Sequence, residues 1–233
     1  MKTLNGQEVA FMGKVTANMT HELSNVFAAI KENAALMEDI LTLSEDVSPR
    51  NQAWIPEKIA KIRELVRRGV DLTATLNTFA HTPDKSLAQV DVKEVVELVV
   101  SLTRRLAAFK GIFLEISPKA RPVPLTTNPL RIQMVLFDCV ELFTEVAGRQ
   151  GAVLIKTWTG QDEEAMVDFT FEEKEPDGQG WRVIPTSSPR WPVLEENVKN
   201  LNGRIHLGEP PTWFALGFRT DLRQAAPVAV DGL

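Results

Sequence analysis

The chain has 233 residues, of which 44% are hydrophobic and 24% are charged, and its formal net charge is −5. This composition is that of a folded globular protein with one large or two smaller domains, and it excludes disorder over most of the length. Its single cysteine, Cys139, excludes an internal disulfide and a multi-cysteine metal site. The sequence has no apolar run that predicts a membrane span or a signal peptide. Its net negative charge does not indicate a nucleic-acid-binding surface. We therefore expect a cytoplasmic protein that contacts other proteins, with no nucleic acid and no membrane among its partners.

Residues 7–44 are predicted to form one long helix. Apolar side chains recur at spacings of three or four residues, close to the helical period. They are Met12, Val15, Met19, Leu23, Val26, Ile30, Ala34, Met37 and Leu41. The segment 44–52 has turn-forming residues and is predicted to end this helix.

A second helix is predicted to follow, with Pro56 in its first turn. It carries two apolar stripes, which indicates burial on more than one side. One stripe contains Ile59, Ile62, Val66, Thr73, Leu76 and Ala80, and the other contains Leu65, Leu72 and Phe79. Because a helical hairpin alone buries too little apolar surface, the pattern predicts a homodimer in which two hairpins form a four-helix bundle.

The remaining sequence predicts an α+β domain with helices against one face of a mixed sheet. Predicted helices span 92–109, 128–147 and 194–201, an extended segment spans 122–127, and predicted strands span 112–116, 152–159, 165–171, 204–207 and 213–220. The expected organisation is therefore a helical hairpin at 1–82, a polar linker at 83–90, the α+β domain at 91–222 and a frayed tail at 223–233.

The polar residues of the first helix single out His21. At about 100° per residue, His21 points roughly 190° away from the mean direction of the apolar stripe. Lys14, Asn18, Asn25 and Glu32 share its side. A lone exposed histidine usually has no role, but a neutral imidazole can act as a nucleophile towards phosphorus. The adjacent carboxylate of Glu22 can take or orient the ring proton, and the carboxamide of Asn25, one turn on, can position a water or a phosphoryl oxygen.

The segment from Phe11 to Asn25, FMGKVTANMTHELSN, resembles the phospho-acceptor motif of two-component sensor histidine kinases. The second helix, the segment 90–116 and the segment 128–141 are also similar to that family in order and spacing, so the resemblance covers roughly residues 8–222. It implies that His21 is the phosphorylated residue, Glu22 the base for phosphoryl gain, and Asn25 the residue that assists dephosphorylation. The family often has a proline where this chain has Val26.

The same resemblance places an ATP and Mg²⁺ site in the second domain, and this sequence departs from it. Aligning Gln133 with the family's glutamine puts Phe137 and Glu141 where the family has two asparagines. Phe137 cannot coordinate a cation, and Glu141 is interpreted as a solvated helix position. The glycines that would admit a nucleotide are displaced to 178 and 180, where the sequence reads as a turn, and none follows until Gly203.

These departures favour a relay protein that exchanges a phosphoryl group between His21 and the aspartate of a response-regulator receiver domain. The implied relay binds no cofactor strongly itself, and the receiver domain supplies Mg²⁺. One alternative is a divergent but active sensor histidine kinase that uses ATP. The other is a dimeric scaffold without phosphotransfer.

Other polar residues give weaker signals. His81 is interpreted as a helix-capping cation, His206 as structural and Cys139 as a small core residue. With three dispersed histidines, no metal site is predicted. The basic pairs Arg67-Arg68 and Arg104-Arg105 are interpreted as solvated, or as contacts for an acidic receiver surface.

Overall fold

A computed structural model describes residues 4–43, 49–146, 151–173, 186–208 and 213–219. The chain divides into two compact units, one spanning Asn5–His81 and the other beginning at Thr82. The predicted turn around the glycines at 178 and 180 and the predicted tail at 223–233 lie outside the described residues.

The first unit is a pair of long helices, α1 (Gly6–Leu43) and α2 (Pro49–Ala80). The bounds of α1 match the prediction within one residue at each end. The prediction for α2 was wrong at its start, because the helix begins at Pro49 and Pro56 lies inside it. A proline removes one backbone hydrogen bond, but its fixed φ is that of a helix. A proline in a helical sequence therefore does not by itself mark the first turn.

The two helices pack through apolar residues at helical spacing. Buried side chains on α1 are Phe11, Val15, Met19 and Val26, and those on α2 are Leu65, Leu72 and Phe79. The rings of Phe11 and Phe79 meet edge to face, with their centroids 5.6 Å apart. The seven-residue stripe of α2 is thus the side that packs on α1, as the spacing of apolar residues on one helix face requires.

Gly13 lies in the interior of α1 and is exposed, and a Cβ atom added there would meet nothing within 4 Å. Because alanine loses less backbone entropy than glycine in a helix, Gly13→Ala should raise the free energy of unfolding by about 0.5–1 kcal/mol. Urea unfolding followed by circular dichroism measures this change. A destabilised Gly13→Ala variant would show that this position is crowded in solution.

The second unit contains seven strands and three helices among the residues described. In chain order they are β1 (Ala88–Asp91), α3 (Val92–Phe109), β2 (Ile112–Ile116), β3 (Pro124–Thr127), α4 (Pro129–Val146), β4 (Gly151–Thr159), β5 (Ala165–Glu173), α5 (Trp191–Lys199), β6 (Gly203–Leu207) and β7 (Trp213–Phe218). A short 3₁₀ turn spans Thr82–Asp84.

The strands form two sheets. The larger has the order β2-β4-β5-β7-β6, with β2 parallel to β4 and the other neighbours antiparallel. The smaller pairs β1 with β3 antiparallel. β1 was not predicted as a strand, because its four residues follow a polar stretch and show no clear alternation. The α+β class with a mixed sheet is confirmed.

Local caps fix where α3 and α4 begin. The Asp91 carboxylate accepts hydrogen bonds from the backbone N–H groups of Lys93 (2.9 Å) and Val123 (3.0 Å). The side-chain oxygen of Asn128 accepts from the N–H groups of Leu130 (3.1 Å) and Arg131 (3.0 Å). Asp91 thus satisfies one N–H group of α3 and Asn128 two of α4, groups that have no intrahelical acceptor, so both helices start directly after these residues.

The core lies between the larger sheet and the helices. The rings of Phe143 on α4, Phe169 on β5 and Phe214 on β7 pack together, with centroids 5.0–6.1 Å apart. Trp191 of α5 meets Phe214 edge to face at 6.1 Å. At the start of β4, a Cβ atom on Gly151 would overlap the Phe171 ring, so any other residue there would force that ring to move.

Candidate functional site

His21 lies in the middle of α1, and its side chain is exposed, as its angular position predicted. Lys14 and Glu32, placed on the same side of the helix, are also exposed, while Asn18 and Asn25 are half-buried. Met19 and Val26 lie on the opposite side of α1, before and after His21, and both are buried. The packing of α1 therefore holds the imidazole at the surface.

The carboxamide of Asn25 contacts the imidazole ring of His21. Its Nδ2 atom lies 3.2 Å from Nδ1 of His21, across one helical turn. Side chains four residues apart on a helix are neighbours, so this contact follows from the H-x-x-x-N spacing. Nδ1 thus has a partner on its own helix, and the tautomer of the ring decides which of the two groups donates.

Glu22 points towards α2 and is nearly buried, with 11% of its side chain exposed. Its Oε1 accepts a hydrogen bond of 2.5 Å from Nη2 of Arg68, whose side chain is 50% exposed. Arg68 is thus exposed, as its interpretation as a solvated residue has it, but it also has an intramolecular partner that was not predicted. Forty-six residues separate the two partners, so no local spacing rule could have paired them.

The helices approach closely just beyond this ion pair. A Cβ atom on Gly69 would lie 3.5 Å from Cγ1 of Val26. Glu22 lies one turn before Val26, and Arg68 lies directly before Gly69. The close approach thus brings the carboxylate and the guanidinium together, while α1 continues unbroken through Val26.

A second surface of the hairpin is an open apolar groove of about 580 Å³. Its lining includes residues from both helices, namely Val26, Phe27, Ile30, Leu65, Val66, Gly69, Val70, Thr73, Ala74 and Asn77. Phe27 and Val70 are each 62% exposed, and Val66 is 49% exposed. The predicted stripe of α2 that contains Val66 is therefore only partly covered within a single chain.

The residues of α4 that the resemblance assigned to a nucleotide site are engaged in the fold. Phe137 lies in the core with 2% exposure. Glu141 is buried, and its Oε2 accepts a hydrogen bond of 2.7 Å from Nη1 of Arg190. Arg190 also bonds the carboxylate of Glu145. The interpretation of Glu141 as solvated was wrong, because a cation 49 residues away in sequence neutralises it.

Gln133 on α4 is also buried, at 3% exposure, and its Nε2 donates to the hydroxyl of Thr82 over 3.2 Å. Its Oε1 has no hydrogen-bond partner among the residues that the structure describes. This contact ties the 3₁₀ turn of the second unit to α4.

The other residues considered from sequence are placed as follows. Cys139 is fully buried, as predicted for a core residue, and burial raises the pKa of its thiol well above the usual value. His81 directly follows α2, and His206 is exposed on β6. Among the residues that the structure describes, no three His, Cys, Asp or Glu side chains are grouped as metal ligands. Within the same ranges, no helix is both long and apolar enough to cross a membrane.

Solved structures of histidine kinases are similar to this chain, each with a TM-score below 0.5. The chain is similar to the Acinetobacter baumannii histidine kinase AdeS, with 13% identity and a TM-score of 0.46 over 82% of this chain and 96% of that one. The histidine kinase domain of a blue-light-activated kinase from Erythrobacter litoralis matches with 12% identity and a TM-score of 0.45, again over 82% and 96% of the two chains. The cytoplasmic segment of the histidine kinase QseC matches with 11% identity and a TM-score of 0.42, over 67% and 95%. No protein-family model matches the chain, and no curated protein matches it in sequence.

Proposed function

We propose that this chain is a phosphohistidine relay protein of two-component signalling, which carries a phosphoryl group on His21 and exchanges it with the aspartate of a response-regulator receiver domain. The observation that supports this most is the exposed imidazole of His21 with the Asn25 amide 3.2 Å from its Nδ1. An exposed nucleophile in mid-helix is open to a partner as large as a protein domain.

The chemistry uses Nε2 as the nucleophile. Its lone pair forms a bond to phosphorus, the bond between phosphorus and the aspartyl oxygen breaks, and that electron pair leaves on the receiver's carboxylate. The ring loses its Nδ1 proton to a base, for which Glu22 is the candidate. A ring phosphorylated on Nε2 has a bare Nδ1, which can accept from the amide N–H of Asn25. Before transfer Nδ1 carries its proton, and the carboxamide must then present its oxygen to the ring.

The state of α4 supports phosphoryl transfer without bound ATP. Transfer from a triphosphate depends on positioning and on a cation that stabilises the developing charge. Phe137 offers no ligand for a cation, and the Glu141 carboxylate is committed to Arg190. We therefore propose that the phosphoryl donor is an aspartyl phosphate and that the receiver domain brings its own Mg²⁺.

The open groove of the hairpin supports a homodimer. A contiguous apolar surface that includes Phe27, Val66 and Val70 is unfavourable in water and marks a protein contact. In the proposed assembly, the two copies bury this groove against each other and form a four-helix bundle, with both copies of His21 on its outside.

The test is to incubate the full chain with radiolabelled ATP and Mg²⁺, and separately with a receiver domain carrying labelled aspartyl phosphate. We expect no label from ATP alone and transfer of label to the chain from the receiver. Label from ATP alone would instead identify an active kinase. No label from either donor would favour a scaffold.

A further inference from the structure

We infer that Arg68 is a positioning residue for phosphoryl gain at His21, acting by holding the carboxylate of Glu22; this rests on the proposed function. Glu22, which is next to the acceptor His21 on α1, is thereby oriented by Arg68 on α2. The sequence motif around His21 contains no sign of this partner.

The contact has the features of a strong ion pair. Its donor–acceptor distance is 2.5 Å, and the carboxylate side is nearly buried, with 11% exposure. A hydrogen bond between two charged groups is stronger than a neutral one, and partial burial reduces its screening by water and salt. Arg68 bonds Oε1. In the proposed step, Oε2 of the same carboxylate accepts the proton.

Asn25 and Glu22 therefore differ in which helix supplies their contact partner. Asn25 contacts the ring from the same helix, and its contribution is independent of α2. Glu22 is oriented from α2 through Arg68. Loss of Arg68 should accordingly impair the step in which Glu22 removes the ring proton. It should leave unchanged the hydrolysis step assigned to Asn25.

The reaction can be followed with phosphoramidate as the donor, without a receiver domain. The Nε2 lone pair attacks phosphorus, the donor's P–N bond breaks, and ammonia leaves with that electron pair. The Nδ1 proton passes to the Glu22 carboxylate. Phosphorus NMR of the full chain gives the rate of phosphohistidine formation, and removal of the donor gives its rate of hydrolysis.

We expect Arg68→Gln to slow phosphohistidine formation about 10-fold, since a positioned base contributes about 10²–10⁴-fold and orientation is part of that. Hydrolysis should stay within about twofold of wild type. Arg68→Lys should recover part of the rate, because it keeps the charge but lacks the fork of donors. In a Glu22→Gln background, Arg68→Gln should have no further effect on formation.

Arg67→Gln is the matched control, because the adjacent Arg67 is exposed and the charge change is the same. It should form phosphohistidine at the wild-type rate. Circular dichroism at the assay temperature establishes that each variant is folded.

Three outcomes separate the hypotheses. If wild type forms no phosphohistidine at His21, the proposed function fails. If wild type does form it and Arg68→Gln matches Arg67→Gln, the inference alone is overturned. If Arg68→Gln slows formation and hydrolysis equally, Arg68 supports α1 generally, and the inference is again wrong.

Discussion

His21→Ala should abolish phosphoryl transfer to the chain, reducing label from a phosphorylated receiver domain to the background of a protein-free reaction. Alanine offers no nucleophile, and Asn25 and Glu22 assist the ring but cannot replace it. Acid-labile, base-stable label on the wild-type chain, measured by filter binding after brief incubation, provides the comparison. The variant should fold normally, because the side chain it removes is exposed.

The matched control is His206→Ala, which makes the same change at another exposed histidine, on β6 of the second unit. We expect it to accept label as wild type does. If His21→Ala kept its label, or if His206→Ala lost it, the acceptor would be assigned to the wrong residue. A wild-type chain that binds the receiver but never carries label would be a scaffold.

Phe27→Glu should convert the homodimer to a monomer. The Phe27 ring is 62% exposed in a single chain and lines the apolar groove of the hairpin. The two-fold symmetry of a dimer would bury two unpaired carboxylates, at a cost of about 3 kcal/mol or more, so the dissociation constant should rise at least about 100-fold. Sedimentation velocity over a dilution series measures this shift.

Phe109→Glu is the control for that experiment. Phe109 is 85% exposed at the end of α3, in the second unit, and the substitution introduces the same side chain. We expect it to leave dimerisation unchanged. A wild-type chain that is monomeric at all concentrations, or a Phe27→Glu variant that dimerises as wild type, would rule out the groove as the dimer interface.

Most of the secondary structure could be predicted from local sequence. The predicted bounds of α3 and β2 are the observed ones, because apolar periodicity and a capping residue act over a few positions. The exposure of His21 and its contact with Asn25 follow from helical geometry in the same way. The start of α2 was missed because Pro56 is compatible with both a first turn and a helix interior.

Contacts between residues far apart in sequence could not be predicted. The pairs Arg68–Glu22 and Arg190–Glu141 are 46 and 49 positions apart, and each depends on how whole helices pack. The sequence around an arginine does not indicate which distant carboxylate it will contact. The Arg190–Glu141 pair overturned the interpretation of Glu141 as solvated, and the Arg68–Glu22 pair gave the exposed Arg68 a partner that was not predicted.

The two contacts around the proposed acceptor differ in their sequence separation, which is four residues for Asn25 and 46 for Arg68. A contact across one turn survives for as long as α1 stays helical, whereas a contact between helices ends when the hairpin opens. Gentle heating that separates α1 from α2 should therefore break the contact between Arg68 and Glu22 before the contact between Asn25 and His21. In such a partly opened chain, a phosphoryl group already on the ring could still be hydrolysed, but a new one would be acquired slowly.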